Sequence, residues 1–202
     1  MALQEREALT ESAVELPEPW RSAAVTVVLP TYNEAANLPV IVAELLALPL
    51  SSLRILVADD NSPDGTGDIA DKLAGQYGPD KLTVVHRQEK QGLGRAYVDG
   101  MTRAVKAGAE FVVQMDSDLS HAPKYLPQML GTLLAANADV VSIRSNGYSF
   151  QVEMNYRSVR HGLKIVELPI HFAERRDGES KMNVWVQLES ALMPFVLRRR
   201  VR

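Results

Sequence analysis

Val25-Thr-Val-Val-Leu-Pro-Thr-Tyr-Asn-Glu34, an apolar run that ends in Pro30 and polar residues, is matched by Arg54-Ile-Leu-Val-Ala-Asp-Asp-Asn-Ser-Pro-Asp-Gly-Thr66. Each run has the length and composition of a buried strand closed by turn residues. Between them, residues 38–48 predict a helix whose early Pro39 is tolerated in a first turn. The rhythm continues with helix over 67–76, strand Leu82–His86, helix over 94–107, strand Phe111–Met115, helix over 124–136 and a short strand Asp139–Val141. Alternation at this spacing implies βαβ crossovers, and hence an α/β fold on a mostly parallel sheet flanked by helices. After Val141 the alternation breaks. Residues 148–161 and 184–197 suit helices, and Lys164–Leu168 and Ile170–Phe172 suit strands.

Composition sets the outer bounds. The 202 residues suffice for one α/β domain with a substantial core. A formal net charge of −3 gives no reason to expect a nucleic-acid partner. The absence of cysteine excludes disulfides and thiolate metal sites, and fits a reducing compartment. Residues 1–22 read as a flexible arm, closed by Pro17 and Pro19, without the basic start and apolar core of a secretion signal. No apolar run is long enough to span a bilayer, so the expectation is a cytoplasmic chain, soluble or peripheral on a membrane surface.

In a parallel sheet of this kind ligands bind beyond the carboxyl ends of the strands. Unusual polar sequence collects there at successive strand ends. In Asp116-Ser-Asp118 two carboxylates follow a buried run and share one face while the chain stays extended. Two hard oxygen donors so close repel unless a cation lies between them, and Mg²⁺ or Mn²⁺ with a substrate phosphate would satisfy both. The alternative is a solvated turn with Asp118 capping a bend. At Asp59-Asp60, adjacent acids after a strand either cap the turn or accept hydrogen bonds from the edge of a base. Tyr32 either stacks on a nucleobase or packs locally, with Glu34 beside it. Arg87-Gln-Glu-Lys-Gln-Gly-Leu-Gly-Arg95 brings glycines and cations to a helix start, a place for an oxyanion or phosphate. It is no dinucleotide fingerprint, because Tyr97 stands where the third glycine would be.

Taken in order, Val-Leu-Pro-Thr-Tyr-Asn-Glu34, Ala-Asp-Asp-Asn-Ser-Pro-Asp-Gly-Thr66, Lys90-Gln-Gly-Leu-Gly-Arg-Ala96 and Met115-Asp-Ser-Asp-Leu-Ser-His-Ala-Pro123 resemble family 2 glycosyltransferases of the GT-A fold. Within that family they are similar to dolichol-phosphate (polyprenyl-phosphate) mannosyltransferases. The likeness resumes at Asn146-Gly-Tyr-Ser-Phe-Gln-Val-Glu-Met154 and Glu167-Leu-Pro-Ile-His-Phe172, and closes on Arg175, Ser180 and Lys181. It covers about residues 24–182 and implies a transferase domain over 23–182; apolar spacing beyond it predicts an amphipathic helix within 183–202.

The resemblance also implies roles. Pro30, Tyr32, Glu34 and Asp60 would line the nucleoside pocket of a nucleotide-sugar donor, GDP-mannose by family, with Lys90 beside it. Asp116 and Asp118, the catalytic pair, would hold Mg²⁺ or Mn²⁺ and the donor diphosphate. Arg175, Ser180 and Lys181 would meet phosphates of donor or polyprenyl-phosphate acceptor. A UDP-glucose-dependent glucosyltransferase, with a polyprenyl-phosphate or saccharide acceptor, and a non-catalytic nucleotide-sugar-binding protein are the competing expectations. There is one departure. Between Val141 and Tyr148 family members carry several tens of further residues, including amphipathic acceptor helices, whereas Val141-Ser-Ile-Arg-Ser145 runs straight across. Flanks kept this well favour residues omitted from the sequence over a true deletion. Trp185, Leu188, Leu192 and Val196 recur at helical spacing before Arg198-Arg-Arg200, which suits either a membrane-surface helix or ordinary core.

Overall fold

A computed structural model of the chain describes residues 18, 21–143 and 149–169. Strand β1 (Val25–Thr31) is followed by helix α1 (Leu38–Leu46), β2 (Leu53–Asp59), α2 (Thr66–Tyr77), β3 (Leu82–His86), α3 (Leu93–Lys106) and β4 (Phe111–Gln114). A 3₁₀ turn at Pro123–Tyr125 leads into α4 (Leu126–Ala135), then β5 (Val140–Ile143), α5 (Ser149–Arg160) and β6 (Ile165–Leu168). The first four strands form one sheet in the order β3-β2-β1-β4, and β5 and β6 form a second, two-stranded sheet. Among the described residues every strand pairing is parallel. The expected α/β architecture is the observed one. The expected strand at Ile170–Phe172, the helix over 184–197, the N-terminal arm up to Pro17 and the phosphate-binding residues Arg175, Ser180 and Lys181 lie outside the described residues.

Two apolar layers sandwich the sheet. Val25, Val27 and Leu29 point to one face, as period-2 alternation dictates, and pack with Leu38, Ile41, Val42 and Leu45 of α1 and Ala70 of α2. Val28, Leu56 and Ala58 point to the other, against Tyr97 and Ala104 of α3. Because β1 is buried on both faces it reads as a continuous apolar run. It does not stop at Pro30, where the sequence suggested, but continues through Thr31, with Pro30 opposite Ala58 of β2. The reason lies on its other side: β4 pairs with β1 only as far as Val28, so the missing N–H of Pro30 faces no partner strand.

Helix α3 approaches β1 closely because Gly100 has no side chain. A Cβ placed there would overlap Val28 Cγ1 and touch Leu56 Cδ2 at 3.5 Å. Overpacking of this sort costs about 1–3 kcal/mol. Gly100→Ala should therefore lower the urea midpoint of unfolding, and adding Val28→Ala should recover part of the loss. A Gly100→Ala protein as stable as the parent would show that the α3–β1 contact is looser than this.

Candidate active site

The strand-end clusters are bonded to one another. From the β1 end, Thr31 Oγ1 donates to Asp59 Oδ1 at 2.9 Å, and the Asn33 amide donates to Ser62 Oγ at 3.1 Å. The Glu34 amide donates to Thr66 Oγ1 at 3.0 Å and the Ala35 amide to Asp64 Oδ2 at 3.1 Å. Ser117 Oγ, from the β4 end, donates to the Pro30 carbonyl at 2.9 Å. Arg87, after β3, forms an ion pair with Asp60, after β2; their side chains are only 9% and 7% exposed. Asn33 and Asn61 take positive φ (60° and 56°), a conformation that asparagine tolerates, which explains that residue in both loops.

These bonds decide the question left open at Asp59-Asp60. Asp59 is the turn cap: its carboxylate accepts from Thr31, from the Ser62 amide (3.0 Å) and from Ser62 Oγ (2.6 Å). Asp64 shares this structural work, accepting from both the amide and the hydroxyl of Thr66. Partial desolvation pulls its pKa upward, but donation from Thr66 and Ala35 outweighs that and holds it below the ordinary value. Asp60 instead reaches the cleft.

That cleft is open, about 1590 Å³, and lies over the carboxyl ends of the strands. Pro30, Tyr32, Glu34, Asp60, Lys90, Asp116 and Asp118 all line it, so seven of the ten residues singled out from sequence converge on one place. The other three, Arg175, Ser180 and Lys181, are the ones outside the described residues. Lys90 Nζ sits 3.7 Å from the centroid of the Tyr32 ring, a cation–π contact on the wall of the cleft. Glu34 accepts from Asn37 Nδ2 at 2.9 Å, so its carboxylate is turned in part toward the start of α1. Gly92, Leu93, Gly94 and Arg95 bring the N-terminus of α3 to the same cleft. Gly92 has φ 94°, which a side chain would oppose.

The two β4-end acids are not on an extended chain, as the sequence suggested; Ser117 and Asp118 form a turn. Asp118 does accept the Ser120 amide at 3.0 Å, but it is buried (5% exposed), not solvated. Leu119 pins the turn by dropping into the core at φ 61°, a strained angle for a bulky side chain. Asp116 is half-buried, and its Oδ1 accepts the Tyr97 hydroxyl at 2.7 Å. Burial first, then the charge of Asp116, its hydrogen bond and the charge of Asp118 push Tyr97 well above the ordinary phenol range, so it remains a donor. No group of three or more His, Cys, Asp or Glu side chains placed to hold a metal ion occurs among the described residues. Two carboxylates that open on a cleft suit Mg²⁺ or Mn²⁺ nonetheless, because these ions take one or two protein oxygens and complete their shell with phosphate and water.

Sequence reasoning missed two of these residues. By sequence Arg87 reads as one of several cations suited to phosphate, yet its guanidinium pairs with Asp60. Tyr97 was noted for the glycine it replaces, and its spacing from Asp116 carried no signal of contact.

A family model described as Glycosyl transferase family 2 matches residues 26–190. The chain is 34% identical over 215 residues to the polyprenol monophosphomannose synthase of Mycolicibacterium smegmatis, covering 78% of this chain and 80% of that protein. It is also 34% identical over 216 residues to the undecaprenyl-phosphate mannosyltransferase of Micrococcus luteus, covering 79% and 87%. The first alignment runs to 215 positions while using 78% of 202 residues, so that relative carries residues with no counterpart here. Among solved structures, a Pyrobaculum calidifontis mannosyltransferase in complex with GDP-Man and Mn²⁺ superposes with a TM-score of 0.59 at 18% identity, over 98% of this chain and 81% of that one. The glucosyl-3-phosphoglycerate synthase of Mycobacterium tuberculosis, with Mn²⁺ and UDP, gives 0.62 at 19% identity, over 88% and 80%. These two attest the fold, and the sequence matches fix the kinship: this chain is a glycosyltransferase of family 2.

Proposed function

We propose that the chain transfers mannose from GDP-mannose to a polyprenyl phosphate with inversion at the anomeric carbon. The observation that carries this reading is the convergence of Tyr32, Glu34, Asp60, Lys90, Asp116 and Asp118 in one cleft, in a chain whose 34%-identical relatives bear polyprenyl-phosphate mannosyltransferase names. Tyr32, Glu34 and Asp60 receive the nucleoside at the ends of β1 and β2. Asp60, fixed by Arg87, presents a carboxylate to base N–H groups. Lys90 and the first turn of α3 face the diphosphate. Asp116 and Asp118 would hold Mg²⁺ or Mn²⁺, which when bound compensates charge on the departing nucleotide diphosphate.

An acceptor phosphate oxygen forms the new bond to the anomeric carbon as the bond to the diphosphate oxygen breaks. That oxygen is already ionised at neutral pH, so the side chains need to position it rather than deprotonate it. Arg175, Ser180 and Lys181 are its proposed contacts, within a transferase domain of residues 23–182. A lipid acceptor requires work at a membrane surface, and the proposed one is the cytoplasmic face. Among the described residues no helix is long and apolar enough to cross a membrane, and the proposed anchor is the segment 183–202, whose apolar spacing suits an amphipathic helix.

Incubating the protein with Mn²⁺, undecaprenyl phosphate and either labelled GDP-mannose or labelled UDP-glucose tests this. Label should enter the organic-extractable lipid from GDP-mannose. Transfer from UDP-glucose alone would replace the mannosyl reading with a glucosyl one. Donor binding with no transfer to lipid or saccharide would favour a nucleotide-sugar-binding protein, the reading to which the short passage from β5 to α5 lends support.

A further inference from the structure

We propose that Tyr97 is a positioning residue: its hydroxyl fixes the Asp116 carboxylate by holding Oδ1, so that Oδ2 is presented to the cation and diphosphate. The inference rests on the proposed role of Asp116 in holding a divalent ion.

The backbone around Asp116 is anchored on both sides. The Met115 amide donates to the Val28 carbonyl at 3.3 Å, and Ser117 Oγ donates to the Pro30 carbonyl at 2.9 Å. What remains free is the torsion of the Asp116 side chain itself, and the Tyr97 hydroxyl at 2.7 Å meets one of its two oxygens. Tyr97 is well suited to fix that torsion. It is only 5% exposed, and its ring packs with Val28, Leu56, Ala58 and Ala104, so the core sets where its hydroxyl lies. It also sits one turn into α3, whose first residues line the cleft. The phenol therefore couples the place of the α3 N-terminus to the orientation of Asp116. A phenylalanine would fill the same apolar space and lose only the bond, so the hydroxyl is what ties this ring to the site.

The bland reading is that Asp116 merely satisfies a buried hydroxyl. The two differ in what they move. Partners that orient metal-holding side chains alter metal affinity by about 10- to 100-fold when removed. A packing residue would disturb the whole cleft, nucleoside pocket included.

The test compares the wild type, Tyr97→Phe and Asp116→Asn in three measurements. Free Mn²⁺ is followed by electron paramagnetic resonance with GDP present, GDP affinity is measured in chelator without metal, and melting is followed for each protein. Tyr97→Phe should weaken Mn²⁺ uptake in the presence of GDP by about 10- to 100-fold, falling between wild type and Asp116→Asn. Its metal-free GDP affinity and its melting should match the wild type. Unchanged Mn²⁺ uptake would overturn the assignment. So would a fold-loss of metal-free GDP affinity as large as that of Mn²⁺ uptake, or a melting temperature clearly below that of the wild type, because the hydroxyl would then serve the core alone. If the wild type takes up no Mn²⁺ with GDP, the metal reading of Asp116 itself fails, an outcome distinct from the other two.

Discussion

Asp116→Asn should slow sugar transfer by about 10³-fold while leaving the fold intact, because it removes a charge and keeps the oxygen that accepts from Tyr97. Asp118→Asn should cost less. Asp118 lies deeper, 5% exposed, and spends one oxygen on the Ser120 amide, a bond that an asparagine oxygen would keep. Asp116 is half-buried and opens on the cleft, so it is the acid able to serve cation and diphosphate together. Titration of GDP-mannose into the wild type with and without chelator is the companion measurement. Chelator should reduce donor affinity to that of Asp116→Asn. Equal wild-type affinity in both conditions would remove the metal from the mechanism.

Arg87→Met should be the most destabilising substitution at the site. It strands the Asp60 carboxylate in a place where only 7% of its side chain meets water. Breaking one side of a buried ion pair typically costs about 3–5 kcal/mol, roughly 6–20 °C in melting temperature for a chain of this size. The same physics makes the double change Arg87→Met with Asp60→Leu instructive, since a well-packed apolar pair is often as stable as the ion pair it replaces. The double variant should regain most of the lost stability and still fail to bind GDP-mannose, because the carboxylate proposed to meet the base is gone. Recovery of both stability and binding would mean that Asp60 is a structural partner of Arg87 and nothing more. Unfolding curves and donor titrations of the single and double variants give both answers.

Much of the fold was legible in the order of residues. Apolar runs ended by turn residues at Val25, Arg54, Leu82 and Phe111 located the strands within a residue or two, and Leu82–His86 was placed at its observed bounds. The clusters behind those runs were legible as a site for the same reason: chain connectivity alone puts the ends of parallel strands on one edge of the sheet. Local pattern misled where a neighbour overrode it. Pro30 looked like a strand end because a proline lacks an N–H, yet β1 continues because β4 is too short to need that donor. The extended geometry expected for Asp116-Ser-Asp118 gives way to a turn that burial of Leu119 holds in place.

The sequence by itself determined the α/β class, the kinship with family 2 glycosyltransferases and the set of side chains at the strand ends. Those follow from short-range facts: hydrophobic period, turn chemistry and the polarity of a parallel sheet. Only the tertiary structure decided which of two adjacent acids lines the cleft. Asp59 is consumed by Thr31 and Ser62, while Asp60 turns to Arg87 and the cleft. Only the tertiary structure, too, joined Tyr97 to Asp116 and Lys90 to Tyr32. Such pairings depend on where helix α3 docks against β1, and that is set by shape, through the missing side chain of Gly100 against Val28, rather than by any pattern along the chain.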